Sequence, residues 1–272
     1  MELRVFGRTG MELSVLGFGC GAVGGLMVRG DPADQERTIA RAIAAGVNYF
    51  DTAVLYGNGE SENNLGRVLQ KLKPTGVAVG TKVRVPAGEI GQIANAVTMS
   101  LEGSLARLRL DRVDILHLHN PITETGGDSA LSIRQVLDDV VPAFERLRQQ
   151  GKIRFSGISA LGDTAALHRV IDARAFDSAQ VVYNMLNPSA AEDLPMNYPA
   201  QDYGRLFDHT AAAGVGVVGI RVLAGGALSG SAERHPIAGP APEPIVRRWA
   251  TMPISIAHAV SSGWSRKGSL PA

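Results

Sequence analysis

Seven apolar, β-rich segments recur along the chain at nearly constant spacing, and this repeat constrains the fold more than any other feature. The segments begin at Val15, Asn48, Val77, Val113, Ile153, Ser178 and Val215. Their starts run from residue 15 to residue 215 in six steps of about 33 residues, the length of one strand–helix unit. Because the strands are apolar on both faces and alternate with helices, we expect a parallel α/β sheet that helices cover.

Helical patterns fill the intervals between these segments. Apolar residues recur at helical spacing in two sets: Leu65, Val68, Leu69 and Leu72, then Ile93, Val97, Leu101, Leu105 and Leu108. Asp31-Pro32 predicts a helix start with proline in the first turn, whereas Gly46, Gly151 and Gly214 predict helix ends. Seven units with room for a partial eighth favour a (β/α)8 TIM barrel over an open sheet.

Two stretches stand outside the repeat. Residues 3–15 predict a β-hairpin, turning at Phe6 to Met11, that caps the bottom of the barrel. No break in composition occurs before residue 231, so residues 1–272 are interpreted as a single domain with an atypical tail at 231–272. In this tail, 245–252 predicts a short helix and 253–260 a strand. An incomplete eighth βα unit and a divergent tail that completes the barrel both remain open from the sequence.

Composition excludes several classes of protein. The 27 Lys and Arg residues nearly balance the 26 Asp and Glu residues, which is not the basic footprint of a nucleic-acid-binding protein. The single cysteine, Cys20, excludes an intramolecular disulfide framework and a cysteine-built zinc site. The first residues lack a long apolar region, and no apolar run is long enough to span a membrane. We therefore expect a cytoplasmic protein with no nucleic-acid or membrane partner.

Two glycine patterns match the dinucleotide-binding motif G-x-G-x-x-G but fit it poorly. In a Rossmann fold, this loop leads directly into a helix whose N-terminus faces the pyrophosphate. After Gly19-Cys20-Gly21-Ala22-Val23-Gly24, the sequence predicts the next helix only from Asp31-Pro32. The second match, 214–219, lies at and inside a predicted strand. In a glycine-rich chain such matches arise easily, so we do not interpret them as a Rossmann loop.

The pair His117 and His119 invites a metal-binding interpretation. Two histidines separated by one residue on a strand point to the same side. A catalytic zinc site needs a third protein ligand, and no other histidine stands at a confidently predicted strand end. The sequence therefore predicts no metal.

Four polar residues stand at the carboxyl ends of three consecutive predicted strands, where barrel enzymes place their chemistry. Asp51 ends the second strand, Tyr56 follows in the next loop, Lys82 ends the third strand and His119 the fourth. Each residue alone is more often a helix cap or a solvated side chain. Together they suit proton donation to a carbonyl oxygen, because an ammonium lowers the pKa of a neighbouring phenol and a carboxylate fixes the ammonium. No side chain supplies hydride, so this chemistry needs a nicotinamide.

A series of motifs occurs in order over residues 1 to about 230. It comprises Val5 to Val15, Phe50-Asp51-Thr52-Ala53 with Tyr56-Gly57, Ser61-Glu62 with Leu65-Gly66, Gly80-Thr81-Lys82, Val113 to Pro121, Gly151-Lys152-Ile153-Arg154, Gly157-Ile158-Ser159, Gln180-Val181-Val182-Tyr183-Asn184 and Leu223-Ala224-Gly225-Gly226. As a set, these motifs resemble the aldo-keto reductase superfamily.

The resemblance implies roles for individual residues. It makes Asp51, Tyr56, Lys82 and His119 the catalytic tetrad, with Tyr56 as the general acid. It places Ser159 and Gln180 at the nicotinamide carboxamide, and the segment that contains Arg221, Leu223, Gly225 and Gly226 at the pyrophosphate. The implied cofactor is NADPH, with NADH as the alternative, and the implied substrate is a small carbonyl compound or a sugar.

The chain departs from the family pattern at three places. Ala160 stands where the family usually has asparagine, and Ile220 stands where an aromatic residue often contacts the nicotinamide. The C-terminal segment that binds the adenosine 2′-phosphate is not recognisable. The choice between NADP and NAD therefore stays open.

Three further functional hypotheses remain beside the NADPH-dependent carbonyl reductase. The glycine-rich 21–30 loop resembles sugar-oxidising members of the superfamily, which favours an aldose 1-dehydrogenase working in the oxidative direction. The atypical tail favours a non-catalytic, nucleotide-sensing relative. A metal-dependent barrel hydrolase is the third.

Overall fold

The computed structural model describes residues 1–127, 129–231, 233 and 235–239. The strands in these residues are β1 (Leu3–Val5), β2 (Glu12–Ser14), β3 (Phe18–Gly19), β4 (Tyr49–Asp51), β5 (Ala78–Val83), β6 (Val113–Leu118), β7 (Ile122–Thr123), β8 (Leu131–Ser132), β9 (Ile153–Ser159), β10 (Ser178–Val182) and β11 (Gly216–Ile220). The α-helices in these residues are α1 (Leu26–Arg29), α2 (Pro32–Ala44), α3 (Glu60–Leu72), α4 (Ile93–Leu108), α5 (Ile133–Gln135), α6 (Val141–Gln149), α7 (Thr164–Asp172) and α8 (Leu206–Ala213).

The central element is a curled parallel sheet. Across the described residues its seven strands run in the order β11, β10, β9, β6, β5, β4, β3. All six neighbouring pairs are parallel, as the strand–helix repeat predicts. The outer strands β3 and β11 face the same cavity, so the sheet curls into most of a barrel. The predicted α/β barrel is therefore confirmed.

Helices pack on the outer face of this sheet and bury its core. The apolar faces predicted for α3 and α4 lie inward, with Leu65, Val68, Leu101 and Leu108 fully buried. Helix α2 begins where the sequence predicts it, and the Asp31 side chain accepts a hydrogen bond from the backbone of Ala33 at its N-terminus.

The N-terminal hairpin closes one end of the barrel. Strands β1 and β2 pair in antiparallel fashion, and Phe6, Met11 and Leu13 pack against Tyr49 and Ile115 inside the barrel. This is the bottom, the end opposite the carboxyl ends of the parallel strands. The predicted cap is therefore confirmed. It is stable because its apolar residues cover a barrel interior that would otherwise be exposed to water.

Two local features differ from the sequence predictions. The first barrel strand begins at Phe18 instead of Val15, because the backbone nitrogen of Val15 still bonds Glu2 of the hairpin. In addition, the short helix α1 precedes α2, whereas the sequence predicts no helix before Asp31-Pro32. Helix α1 is a single turn within the loop that follows β3.

The tail is described only in part. Residues 231, 233 and 235–239 belong to the described chain, whereas the predicted helix at 245–252 and strand at 253–260 lie outside it. No helix among the described residues combines the length and the apolar character needed to cross a membrane.

Candidate active site

The curled sheet brings the four predicted residues to one rim. Asp51 is the last residue of β4, Lys82 lies one residue before the end of β5, and His119 directly follows β6. Tyr56 lies in the loop between β4 and α3. Since the carboxyl ends of parallel strands meet at the same edge, three neighbouring strands and one loop suffice to group these side chains.

A buried ion pair forms the base of the site. The Lys82 Nζ donates to Asp51 Oδ2 at 2.6 Å and to the backbone oxygen of Thr52 at 2.8 Å. Lys82 is 1% exposed. A buried ammonium is tolerated only when it is paired and hydrogen-bonded, and both conditions are met here.

The Tyr56 ring lies between the ammonium and a histidine. Lys82 Nζ is 4.7 Å from the centre of the Tyr56 ring. The His119 ring stands perpendicular to Tyr56, with 6.2 Å between the ring centres. The structure therefore groups the phenol, the ammonium and the imidazole that the sequence analysis selected.

Burial raises the pKa of the Tyr56 phenol above its ordinary value, and the Lys82 ammonium opposes that rise. Lys82 lowers the pKa of Tyr56 as expected, but this effect is smaller than the rise that burial causes. Burial acts to lower the pKa of Lys82, whereas Asp51 and Tyr56 raise it, and the net direction is upward. At neutral pH the site therefore holds a protonated phenol beside a charged ammonium.

The two histidines differ in their surroundings. His117 is fully buried, and its Nε2 lies 3.1 Å from Ser178 Oγ. His119 is half-buried and lines the cavity at the rim. Burial, followed by the Lys82 charge, lowers the pKa of His117 to about 3 and that of His119 to about 4. Both imidazoles are thus neutral at physiological pH.

We expect His119→Ala and His117→Ala to affect different properties. Loss of His119 removes a polar group from the cavity wall, so turnover should fall by roughly tenfold or more. Loss of His117 leaves a core void and an unpaired Ser178, so stability should fall by roughly 2–4 kcal/mol. Steady-state kinetics and thermal melting of both variants test this. A destabilised His119 variant with normal turnover would reverse the assignment.

Stability should depend on pH through the same histidines. Their folded-state pKa values lie below the ordinary value of 6.5, so the unfolded chain binds more protons once the pH falls below 6.5. The free energy of unfolding should therefore decrease as the pH falls from about 6.5, by about 1 kcal/mol per pH unit and histidine. Thermal melting against pH tests this prediction. His117→Gln should flatten the slope, and an unchanged slope would contradict the assignment.

The rim opens into a cavity of about 1990 Å³. All the residues predicted to bind the cofactor line it: Ser159, Gln180, Arg221, Leu223, Gly225 and Gly226. Ser159 is the last residue of β9, and Gln180 lies within the neighbouring strand β10. The other four residues follow β11 in a turn that contains a short 3-10 helix. One cavity thus connects Asp51, Tyr56 and His119 with both predicted parts of the cofactor site.

One contact within this cavity was not predicted. Gln180 Nε2 donates to Asp51 Oδ1 at 2.6 Å, and Ser159 Oγ lies 3.5 Å from Gln180 Oε1. Gln180 and Asp51 are 129 residues apart in sequence. No local signal relates them, because only closure of the barrel brings their strands to the same interior layer.

A buried network anchors the loop that carries Tyr56. The Thr52 and Ser61 hydroxyls lie 2.8 Å apart and join the two ends of this loop. The next residue, Glu62, is fully buried and accepts from Thr81 Oγ1 at 2.5 Å. The only sequence signal for this network is the Ser61-Glu62 pair at the start of a helix, and no role for it was predicted.

The first part of the tail lies against the loop after β3. Arg29 Nε donates to the Ile237 backbone oxygen at 2.9 Å, and the Gly239 nitrogen donates to Ala22 and Val23. The pairing of Arg29 with Ile237 joins residues 208 positions apart, so the sequence contains no local signal for it.

The structure also bears on the two alternative motif interpretations. Gly19 to Gly24 precede the single turn α1 within a barrel, not the long first helix of an open, doubly wound sheet. In the part of the chain that the structure describes, no three His, Cys, Asp or Glu side chains are grouped closely enough to hold a metal ion.

These features define a barrel enzyme of the α/β class with its polar site at the carboxyl ends of the strands. Residues 15–251 match the model of the aldo/keto reductase family. The chain therefore belongs to this family of oxidoreductases, and its structure is that of an aldo-keto reductase.

Two named relatives act on sugars. The chain is 33% identical to L-galactose dehydrogenase of Arabidopsis thaliana over 243 residues, which cover 87% of this chain and 70% of the relative. It is 29% identical to D-threo-aldose 1-dehydrogenase of a Pseudomonas species over 213 residues, which cover 68% of this chain and 62% of the relative. The aligned part thus falls short of either relative's full length.

Two solved structures show the same fold. The holo form of aldo-keto reductase AKR11C1 from Bacillus halodurans has a TM-score of 0.66 and 27% identity, over 87% of this chain and 70% of that one. An aldo/keto reductase from Klebsiella pneumoniae in complex with NADP and acetate has a TM-score of 0.62 and 27% identity, over 84% and 71%. NADP-binding enzymes are therefore among the structural neighbours.

Proposed function

We propose that this protein reduces an aldehyde or ketone to an alcohol with NADPH, and that Tyr56 is the general acid. The observation that carries the proposal is the placement of Lys82, which bonds Asp51 at 2.6 Å and lies 4.7 Å from the centre of the Tyr56 ring. A buried ammonium in this position stabilises the phenolate that remains after Tyr56 gives up its proton.

The residues present fit a nicotinamide dinucleotide. The Ser159 hydroxyl and the Gln180 amide are complementary to a carboxamide, and both line the cavity. The turn that contains Arg221, Gly225 and Gly226 lines the same cavity and would contact the pyrophosphate. When bound, NADPH supplies the hydride that no side chain of the protein can provide.

The chain's own residues would handle the proton. Tyr56 holds it on its hydroxyl, because the raised pKa keeps the phenol protonated, and donates it to the substrate oxygen. Lys82 stabilises the resulting phenolate, and Asp51 fixes Lys82. Neutral His119 would hydrogen-bond the substrate carbonyl and orient it beside Tyr56.

Turnover and cofactor binding together test the proposal. Purified protein comprising residues 1–272 is titrated with NADPH and NADH, and oxidation of each is followed with a panel of small aldehydes and ketones. We expect at least one of the two cofactors to bind and to be oxidised in the presence of at least one carbonyl substrate. Cofactor binding without turnover of any carbonyl or sugar would contradict the proposal and support the nucleotide-sensing alternative. Turnover that needs an added metal and no nicotinamide would support a hydrolase.

A second candidate is oxidation of an aldose at its anomeric carbon. It is favoured by the two relatives named as sugar dehydrogenases, at 33% and 29% identity. In that direction the Tyr56 phenolate would accept the sugar hydroxyl proton, and its formation would depend on Lys82. The test is reduction of NADP⁺ or NAD⁺ with L-galactose and with D-threo-aldoses. Oxidation of these sugars far more efficient than reduction of any aldehyde would make this candidate the main activity.

A further inference from the structure

A buried tyrosine lies directly beneath the site and has no role in the chemistry outlined above. Tyr49 is on β4, two residues before Asp51, so both side chains point into the barrel. It is 3% exposed and belongs to the apolar layer formed with Phe6, Leu13 and Ile115. Among the described members of that layer, Tyr49 alone carries a hydroxyl group. A buried hydroxyl needs a hydrogen-bond partner.

This hydroxyl has two side-chain partners, the Asp51 carboxylate and the Gln180 amide. Tyr49 Oη donates to Asp51 Oδ1 at 3.4 Å. The same oxygen accepts from Gln180 Nε2 at 2.6 Å, whereas Oδ2 accepts from Lys82 Nζ at 2.6 Å. The two oxygens of Asp51 therefore have different partners: Oδ1 accepts from Tyr49 and Gln180, and Oδ2 accepts from Lys82.

The neighbouring strand leaves room for this hydroxyl. Tyr49 pairs with Ala78 and Asp51 pairs with Gly80, so the tyrosine ring spans the step from one layer to the next. A Cβ atom at Gly80 would lie 2.3 Å from the Tyr49 hydroxyl oxygen. An alanine at position 80 would therefore displace the hydroxyl from Asp51. The observed position of the Tyr49 hydroxyl therefore requires glycine at position 80.

The protonation state also suits a permanent donor. Burial, with the adjacent Asp51 charge, raises the pKa of Tyr49 well above its ordinary value. Its hydroxyl thus stays protonated at every pH at which the protein would work. Gln180, the other donor to Oδ1, lines the cavity where the proposed carboxamide would lie, and Tyr49 lines the same cavity with only 3% of its surface exposed.

We propose that Tyr49 is a positioning residue, which holds Oδ1 of Asp51 so that Oδ2 keeps Lys82 against Tyr56. The inference rests on the proposed role of Tyr56. The torsion that turns a carboxylate is soft, so one donor fewer lets Asp51 rotate and draws Lys82 away from the phenol. Since the ammonium opposes the rise in the Tyr56 pKa, a displaced ammonium leaves that pKa higher.

The test is Tyr49→Phe, which removes the hydroxyl and keeps the ring. The kcat should fall by about 3- to 10-fold, the loss expected for one hydrogen bond of ordinary net strength, with little change in the carbonyl KM or in NADPH affinity. The pH midpoint of alcohol oxidation, which follows Tyr56 ionisation, should rise by roughly half a unit or more. A merely structural residue would lower the amount of folded protein without moving that midpoint.

Tyr183→Phe is the matched control. It removes the same atom from a partly buried tyrosine that packs on Phe207, away from Asp51, and should leave the midpoint in place. An unmoved midpoint and an unchanged kcat in Tyr49→Phe would overturn the inference, as would an equal shift in both variants.

A measurement without turnover separates this inference from the proposed function. In protein labelled with ¹³C at tyrosine Cζ, the Tyr56 resonance is assigned by its loss in Tyr56→Phe and followed through the alkaline range. We expect Tyr49→Phe to move the Tyr56 curve to higher pH. A curve that coincides with the wild type would overturn the inference, even if carbonyl reduction is confirmed. A shifted curve in a protein that reduces no carbonyl would overturn the proposed function alone.

Discussion

Tyr56→Phe should abolish carbonyl reduction while leaving NADPH binding nearly intact. The substitution removes the phenolic proton and keeps the ring that packs beside Lys82 and His119. General acid catalysis typically contributes 10²- to 10⁴-fold, so kcat should fall by about that factor. The measurement is NADPH oxidation under saturating carbonyl substrate, together with NADPH titration of the same preparation.

The matched control for Tyr56→Phe is Tyr183→Phe, which removes a hydroxyl from another tyrosine of the described chain. Its kcat should stay close to the wild-type value. Near-normal turnover in Tyr56→Phe would exclude Tyr56 as the general acid. Loss of NADPH affinity as large as the loss of turnover would assign Tyr56 to cofactor binding instead.

Lys82→Met should have the second large effect, on both rate and stability. Without the ammonium the phenolate loses its counter-charge, so the pKa of Tyr56 rises further and kcat falls by about 10²- to 10³-fold. The pH midpoint of alcohol oxidation should move upward. Removal of one partner from a buried ion pair typically lowers the free energy of unfolding by about 3–5 kcal/mol. Because Gln180 still donates a hydrogen bond to Asp51 in this variant, we expect a loss at or below the lower end of that range.

Asp51→Asn separates the charge of Asp51 from its position. The amide oxygen can still accept from Lys82, so the loss of rate should be smaller than in Lys82→Met. Because Asp51 holds the Lys82 pKa up against burial, the ammonium should lose its proton at a lower pH in this variant. Activity should therefore decline earlier on the alkaline side. Unchanged pH–rate profiles in both variants would contradict the coupling between Asp51, Lys82 and Tyr56.

The sequence was sufficient to predict the fold because the barrel is a repeat of local patterns. Apolar runs of strand length and helical spacing within α3 and α4 depend only on neighbours along the chain, and both agree with the structure. The rim followed from the same patterns, since the carboxyl ends of consecutive parallel strands must meet at one edge. Asp51, Lys82 and His119 are grouped for that reason.

The loops were harder to predict because their contacts join distant residues. The turn α1 and its link from Arg29 to Ile237 depend on a tail segment more than 200 positions away. The exact start of β3 depends on the hairpin, which retains Val15 through a backbone bond to Glu2. The spacing of apolar residues along the chain predicts neither the Arg29–Ile237 contact nor the Val15–Glu2 contact.

The sequence by itself determined the barrel, the hairpin cap and the placement of Asp51, Lys82 and His119 at one rim, because each depends on local pattern or on strand ends. Only the tertiary structure decided the electrostatic state of the site. Burial depends on every element packed around a side chain, and here it raises the Tyr56 pKa more than Lys82 lowers it. The bond of Gln180 to Asp51 likewise exists only because the curled sheet brings β10 and β4 into one interior layer.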